Sequence, residues 1–295
     1  MGILIITWGF EYILVKNALA AFESLTLVFF KYLIGSVVIM AFKLKLDRQV
    51  IIRKKDIPMF IACAIFGDIG YFYFEYTSLD YLPISLITIL LSFVPVMSIL
   101  IERIMYKRRI TGAMTAGVIV CILGVTLVIG ADARELLSGR LIGYLLAFGA
   151  VSCWNAYNFI TASLHEEYSS LTLTFYQQIF AILLLVPYAF THMPELEYLN
   201  ADIIGGVLYL GIISAGFGFY IQVKALHVIG VTPTAMFSNF MPLASTFFGW
   251  VFLEETISPM QFVGGAIIIA SASAVIYEKE KVTRPDIAET GQTEH

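Results

Sequence analysis

The sequence predicts an all-α polytopic membrane protein with ten transmembrane helices, arranged as two inverted five-helix repeats. Three observations predict it: an apolar composition, ten apolar runs of spanning length, and an internal similarity at a near-constant offset whose flanking charge changes sign. Hydrophobic side chains make up 59% of the 295 residues and charged ones only 14%, against roughly a quarter in soluble domains. A water-soluble fold of this size needs a charged skin, so a soluble globular enzyme is excluded. Disordered chains are poor in apolar residues, which excludes that class as well. With 18 Lys and Arg against 22 Asp and Glu, no basic surface is available for nucleic acid.

A membrane helix needs roughly 20 mostly apolar residues. Residues 2–21 are the first candidate; with no basic leader, and with Glu11 and Lys16 interrupting the run, they read as a helix rather than a secretion signal. The next four spans are 24–42, 57–77, 82–102 and 112–130, and the last five are 141–161, 171–191, 203–223, 232–252 and 260–277. These runs are too long and continuous for the alternating strands of a membrane barrel. Between spans two and three, the basic link Lys43 to Asp56 stops at Pro58, a residue suited to a first helical turn. Residues 1–130 form the first predicted repeat, 131–277 the second, and the polar segment 278–295 reads as a disordered cytoplasmic tail.

Lys and Arg concentrate in cytoplasmic loops of membrane proteins. With a cytoplasmic amino terminus, the inner segments hold Lys43, Lys45, Arg48, Arg53, Lys54, Lys55, Arg103, Lys107, Arg108, Arg109, Lys224, Lys279, Lys281 and Arg284. The outer segments hold only Arg134 and Arg140. The expected location is therefore the plasma membrane, multi-pass, with both termini cytoplasmic.

An offset of 147 carries Pro95 to Pro242, Thr111 to Ser258 and Gly117 to Gly264, and an offset of 146 carries Trp8 to Trp154. Repeats of five helices must insert in opposite senses. The charges agree, since Arg108 in the YKRR after the fourth span corresponds to Glu255 in the LEET after the ninth. Inverted repeats are a common architecture of secondary transporters.

The chain resembles the drug/metabolite transporter superfamily, specifically its EamA-type members. The residues that carry the resemblance are Thr7-Trp8-Gly9 with Lys16 downstream, Phe30-Lys31, and the run from Leu82-Pro83 to Phe93-Val94-Pro95. The second half adds Val231-Thr232-Pro233 to Phe240-Met241-Pro242, then Leu253-Glu254-Glu255 and Gly264. It departs from the family pattern at Lys107-Arg108, where Gly-Glu is usual, and at Glu254, where glycine is usual. The resemblance implies a ten-helix carrier that exports amino acids, metabolites or drugs, or handles nucleotide sugars. It does not identify the solute.

Five charges sit inside the first three spans: Glu11, Lys16, Lys31, Asp68 and Glu75. Facing lipid, they would together cost roughly 12–18 kcal/mol on insertion scales, so they must face one another, a cavity or an interface. Asp68 and Glu75 share a helix face with Tyr71 between them. Glu11 and Lys16 lie about 140° apart round their helix. Cross-helix pairs of Lys16 or Lys31 with Asp68 or Glu75 are therefore expected. One reading is a translocation cavity in which Asp68 or Glu75 binds a cationic group or a proton. The other is a set of buried ion pairs that only hold helices together.

The second half offers neutral polar groups: Trp154, Asn155, Tyr157 and Asn158, then Gln177 and Gln178, Gln222, and Ser238 with Asn239. Amides in apolar helices serve as helix-to-helix glue or as cavity donors and acceptors. Trp8 and Trp154 read either as facing walls of that cavity or as interface anchors. Pro95 and Pro242, predicted mid-helix, would kink both halves alike and are candidate gating elements. The small residues Ala266, Ala270 and Ala274 recur at helix-contact spacing.

The leading functional reading is a secondary carrier of a small organic solute, working by alternating access, with protons as a candidate coupling ion. A receptor or scaffold without transport is the alternative, and a membrane-embedded enzyme a weaker one. The sequence has no phosphate-binding GxxxxGK[ST]. Its one compact polar loop cluster, His165-Glu166-Glu167, reads as a solvated loop. Cys63, Cys121 and Cys153 lie apart in apolar runs and read as small core fillers. No cofactor or metal is expected. The partners are the bilayer and the solute, and the chain acts as a monomer or homodimer.

Overall fold

The computed structural model describes residues 2–47, 51–106, 111–129, 140–165, 167–229, 234 and 240–290. Arg108 and Asn239 thus lie outside the described residues. Among those described, the chain forms ten helical spans and no strand. The first two are α1 (Gly2–Ala18) and α2 (Ser24–Leu46). α3 joins Ile57–Cys63, a π-helical stretch Ala64–Gly70, and Tyr71–Ser78. α4 is broken into Ile84–Leu91 and Val94–Tyr106. α5 (Gly112–Ile129), α6 (Arg140–Leu164) and α7 (Ser170–Thr191) follow. α8 joins Ala201–Tyr209, a second π-helical stretch Leu210–Gly218, and Phe219–Ile229. α9 is Met241–Leu253 and α10 is Pro259–Thr290. Among the described residues, six spans are long and apolar enough to cross a membrane, and shorter apolar helices cover Gly112–Leu127 and Met241–Leu253.

Local chemistry sets several ends. Ser169 and Asn200 accept backbone N–H bonds from Thr172 (3.1 Å) and Ile203 (2.9 Å), capping α7 and α8. α9 ends on Glu254 at φ 55°, a left-handed conformation that favours glycine, the residue usual at this position in the resembled pattern. Two expectations are corrected. Pro95 and Pro242 are not mid-helix: each lies in the first turn of a helical segment, where a missing N–H costs no helical bond. α10 continues to Thr290, so residues 278–290 carry helical backbone where disorder is expected. The Glu and Lys of that segment are good helix formers.

Most packing runs between the two halves. α5 pairs with α10, α2 with α7 and α8, α3 with α6 and α7, α1 with α8 and α9, and α4 with α6 and α9. Several of these pairings correspond when the first five helices are exchanged for the last five, whereas the contact of α10 with α4 has no counterpart between α5 and α9 of the same extent. The π-helical stretches also correspond, since residues 64 and 210 lie 146 apart. Such stretches widen a helix locally and concentrate at functional sites. In α3, Gly67 lets the Tyr157 ring of α6 come so close that a Cβ would lie 2.1 Å from the ring. The α5–α10 contact uses Gly124, Ile268 and Val275, whereas Ala266, Ala270 and Ala274 face outward.

Polar contacts define two ends. At one, Lys16 lies 3.6 Å from Glu255, whose carboxylate accepts the backbone N–H groups of Ile84 (3.0 Å) and Ser85 (3.3 Å) and the Ser85 hydroxyl (2.9 Å). Glu255 thereby caps α4 from the other half of the chain. At the opposite end, Lys43 donates to Thr172 (2.6 Å), and Arg53 pairs with Asp56 and Glu167 (both 2.8 Å).

Gly67→Val is expected to lower stability by about 1–3 kcal/mol through overpacking against Tyr157. Gly205→Ala, with open space around its Cβ position, is expected to leave it unchanged or raise it. Thermal unfolding of the purified protein in detergent checks both.

Candidate functional site

A cavity of about 930 Å³, counting its open mouth, lies among α1, α3, α4, α6, α8 and α9. Its lining extends to Leu226 and Thr234, toward the Lys43 end. Aromatic rings form its waist. Trp8 meets Trp154 edge to face at 6.5 Å between centroids, and Tyr71 lies 4.7 Å from Trp154. Phe219 packs on Trp8 (5.8 Å), Trp154 (6.1 Å) and Phe72 (5.9 Å). The two tryptophans are therefore walls rather than surface anchors. Pro95 lines the cavity just after the break at Ser92-Phe93, while Pro242 is buried beside Met241 of the wall.

Two carboxylates line the wall, and their partners differ. Glu11 forms an ion pair with Lys31 and accepts the hydroxyls of Ser214 and Tyr76, the latter at 3.1 Å. Lys31 also donates to the Tyr76 oxygen (3.1 Å) and sits 3.8 Å above the Phe72 ring. Glu75 accepts the Tyr12 hydroxyl at 2.6 Å and the Tyr71 hydroxyl at 2.5 Å. No basic group lies within 4 Å of it among the described residues.

The expected pairing of Lys16 or Lys31 with Asp68 or Glu75 is thus corrected. Glu11 reaches Lys31 across the α1–α2 contact, and two phenols already satisfy Glu75. The Lys16 side chain, 41% exposed, extends to Glu255 at the bundle end. Asp68 is fully buried outside the cavity wall. Neither of its oxygens has a hydrogen-bond partner among the described residues, and neither does the neighbouring Tyr32 hydroxyl.

The amides divide in the same way. Asn155 accepts the Ser98 hydroxyl and donates to the carbonyls of Val151 (2.9 Å) and Val94 (3.3 Å), clamping α6 to α4 at the break. Gln178 donates to the Ala215 carbonyl (2.7 Å) and ties α7 to the π-helical stretch of α8. Gln177 accepts the Tyr157 hydroxyl (3.1 Å) and donates to Thr161 (3.0 Å). Only Asn158 and Gln222 line the cavity, and the side-chain oxygen of each is buried without a partner among the described residues. Cys63 and Cys121 are buried, as core fillers would be. His165 packs on His227 with ring centroids 5.1 Å apart.

The sequence reasoning missed Tyr12, Phe72 and Phe219, and noted Gln222 only as a polar residue near a helix end. The repeat offset could have found them. Position 72 maps to 219 and 75 to 222 at 147, and 12 maps to 158 at 146; all six residues line the cavity.

Comparison with known proteins bears on this site. The sequence profile of the EamA-like transporter family matches residues 1–130 and 141–277. An uncharacterized transporter of Archaeoglobus fulgidus is 22% identical over 275 residues, which is 92% of this chain and 95% of that protein. The uncharacterized transporter YoaV of Bacillus subtilis is 20% identical, over 91% of this chain and 93% of its own. A probable terminal-alkyne amino-acid exporter of Streptantibioticus cattleyicolor is 25% identical, over 76% of this chain and 74% of its own. One crystal structure shares the fold, with a TM-score of 0.68 over 95% of this chain and 96% of that chain at 18% identity.

Lys31→Met is expected to cost about 3–5 kcal/mol, because it strands the Glu11 carboxylate. The double variant Lys31→Met/Glu11→Gln is expected to recover part of that loss. A double-mutant cycle of unfolding free energies in detergent checks both.

Proposed function

Since the chain belongs to the EamA-like transporter family, we propose that it is a secondary carrier exporting a small organic solute by alternating access. The observation that carries this reading is the cavity. It lies between helices of both halves and reaches toward the Lys43 end, while Glu255 ties the two halves together at the Lys16 end. One end closed and the other approached is the arrangement expected of one of two states that exchange by rocking. The recurrence of helix pairings between the halves supports the inverted-repeat reading. The exporter among the relatives supports the direction, as does the resemblance carried by the sequence.

In this reading the Lys43 end and both termini face the cytoplasm and the protein lies in the plasma membrane, a direction that the basic loops support. Asp68 is the coupling residue in this reading. It is a carboxyl buried at a π-helical stretch beside the Tyr32 hydroxyl, with no hydrogen bond to either oxygen within 3.5 Å among the described residues, whereas Glu11 is committed to Lys31. Buried intramembrane carboxyls of this kind serve proton relays in transporters.

Cysteines introduced as Tyr106→Cys and Thr256→Cys are expected to react with membrane-impermeant thiol reagents from opposite faces, with residue 106 cytoplasmic. Reaction of both from one face would overturn the inverted arrangement. In proteoliposomes, a pH gradient is expected to drive accumulation of a solute identified by counterflow. Asp68→Asn is expected to keep exchange while losing the response to the gradient. A wild-type protein indifferent to the gradient would remove proton coupling, and absence of any exchange would remove the carrier reading.

A further inference from the structure

We propose that the cavity recognises an organic ammonium, with the Glu75 carboxylate as its counter-charge. The inference rests on the carrier reading above and adds the class of solute. It starts from the charge of the wall. Among the described residues, Glu11 and Glu75 are its acidic side chains, and no Lys, Arg or His lines it. Lys31, buried behind the wall, neutralises Glu11. Glu75 holds two phenol hydroxyls and no cation. The wall therefore holds one carboxylate more than Lys31 balances, and a cationic solute would supply the missing charge. A carboxylate-bearing solute would bring a further acidic group to a wall with no basic side chain among the described residues.

The rings beside Glu75 fit the same solute. Tyr71 links the carboxylate to the aromatic waist, donating to Glu75 and lying 4.7 Å from Trp154. Aromatic faces attract ammonium groups, most strongly where water is excluded. An independent observation comes from the other half. Tyr12 and Glu75 correspond by the repeat offset to Asn158 and Gln222. The first pair is joined by a hydrogen bond, whereas Asn158 and Gln222, 6% and 2% exposed, each present an unpartnered oxygen in the wall. Buried acceptors without donors are costly, and the N–H or O–H groups of a solute would satisfy them. The cavity thus reads as two-ended, with an anionic half-site at Glu75, an aromatic waist, and an amide half-site that accepts hydrogen bonds.

Thermal-shift titration of the purified full-length protein tests this with 2-phenylethylammonium, its anionic near-isostere 3-phenylpropionate, and zwitterionic phenylalanine. A ligand that binds the folded state raises apparent stability. The ammonium is expected to half-saturate at a concentration at least tenfold below that of phenylpropionate or phenylalanine. Glu75→Gln is expected to raise that concentration at least tenfold, and Glu75→Asp to raise it less. The wild-type comparison of charges stands even if Glu75→Gln fails to fold. Equal or tighter binding of the anion or zwitterion, no binding of the ammonium, or an unchanged response in a folded Glu75→Gln would each overturn the proposal. Counterflow in proteoliposomes separates it from the carrier reading. Glu75-dependent ammonium binding without exchange leaves the site and removes transport. Exchange of solutes irrespective of charge leaves transport and removes the site.

Discussion

Charge placed inside hydrocarbon has to be enclosed, and the pair formed by Glu11 and Lys31 shows what that requires of the rest of the bundle. Lys31 is fully buried and Glu11 borders only the cavity, and each would cost several kcal/mol if it faced lipid alone. The pair is closed by the Tyr76 hydroxyl, the Phe72 ring and Ser214. Those groups come from α3 and from the π-helical stretch of α8. Four helices must therefore meet round one ion pair, three from the first half of the chain and one from the second. That convergence fixes α1 beside the cavity and turns Trp8, one turn before Glu11, into its wall. A buried pair of this kind adds little net stability, but losing one partner is expensive. It therefore acts chiefly on which helices meet.

Positions that correspond at an offset of 146 to 147 differ in chemistry. Both π-helical stretches and six wall positions are related by that offset. Yet Glu11 corresponds to Tyr157, Lys31 to Gln178 and Glu75 to Gln222. The first half holds its helices with ions and phenols, the second with amides and a phenol. Hydrogen bonds between neutral groups in a membrane contribute about 0.6–2 kcal/mol each, enough for packing without the desolvation of charge. The result is a cavity whose acidic side chains among the described residues, Glu11 and Glu75, come from the first half and whose amides, Asn158 and Gln222, come from the second.

The bundle ends show how few polar contacts are needed where helices leave the apolar core. One carboxylate, Glu255, satisfies the backbone donors that open α4 and approaches Lys16 as well. Helix starts expose unsatisfied N–H groups and a partial positive charge, so the largely buried Glu255 side chain, in the link after α9, can hold two segments together. The left-handed Glu254 turns the chain so that Glu255 points back at α4. At the Lys43 end, the contacts instead involve links and helix termini around Asp47, Asp56 and Thr172.

The membrane class and the approximate spans follow from sequence, because apolar length and loop charge are properties of the linear chain. The internal correspondence of Trp8 with Trp154 and of Pro95 with Pro242 was legible for the same reason. The five mid-span charges could be recognised as sheltered from cost alone. What they would touch was not legible. Lys31 chose Glu11, Lys16 chose Glu255, and Asp68 was left beside Tyr32, because partner choice depends on helix rotation and crossing, which hydropathy does not encode. The same holds for Asn155 and Gln178, which became clamps, and for Asn158 and Gln222, which became cavity wall. Pro95 sits in a first turn rather than a kink because α4 breaks at Ser92-Phe93. Sequence alone thus determined what must be buried and in which solvent. Only the tertiary structure decided which buried groups face each other and which are left facing a cavity, because that depends on distances between helices far apart in the chain.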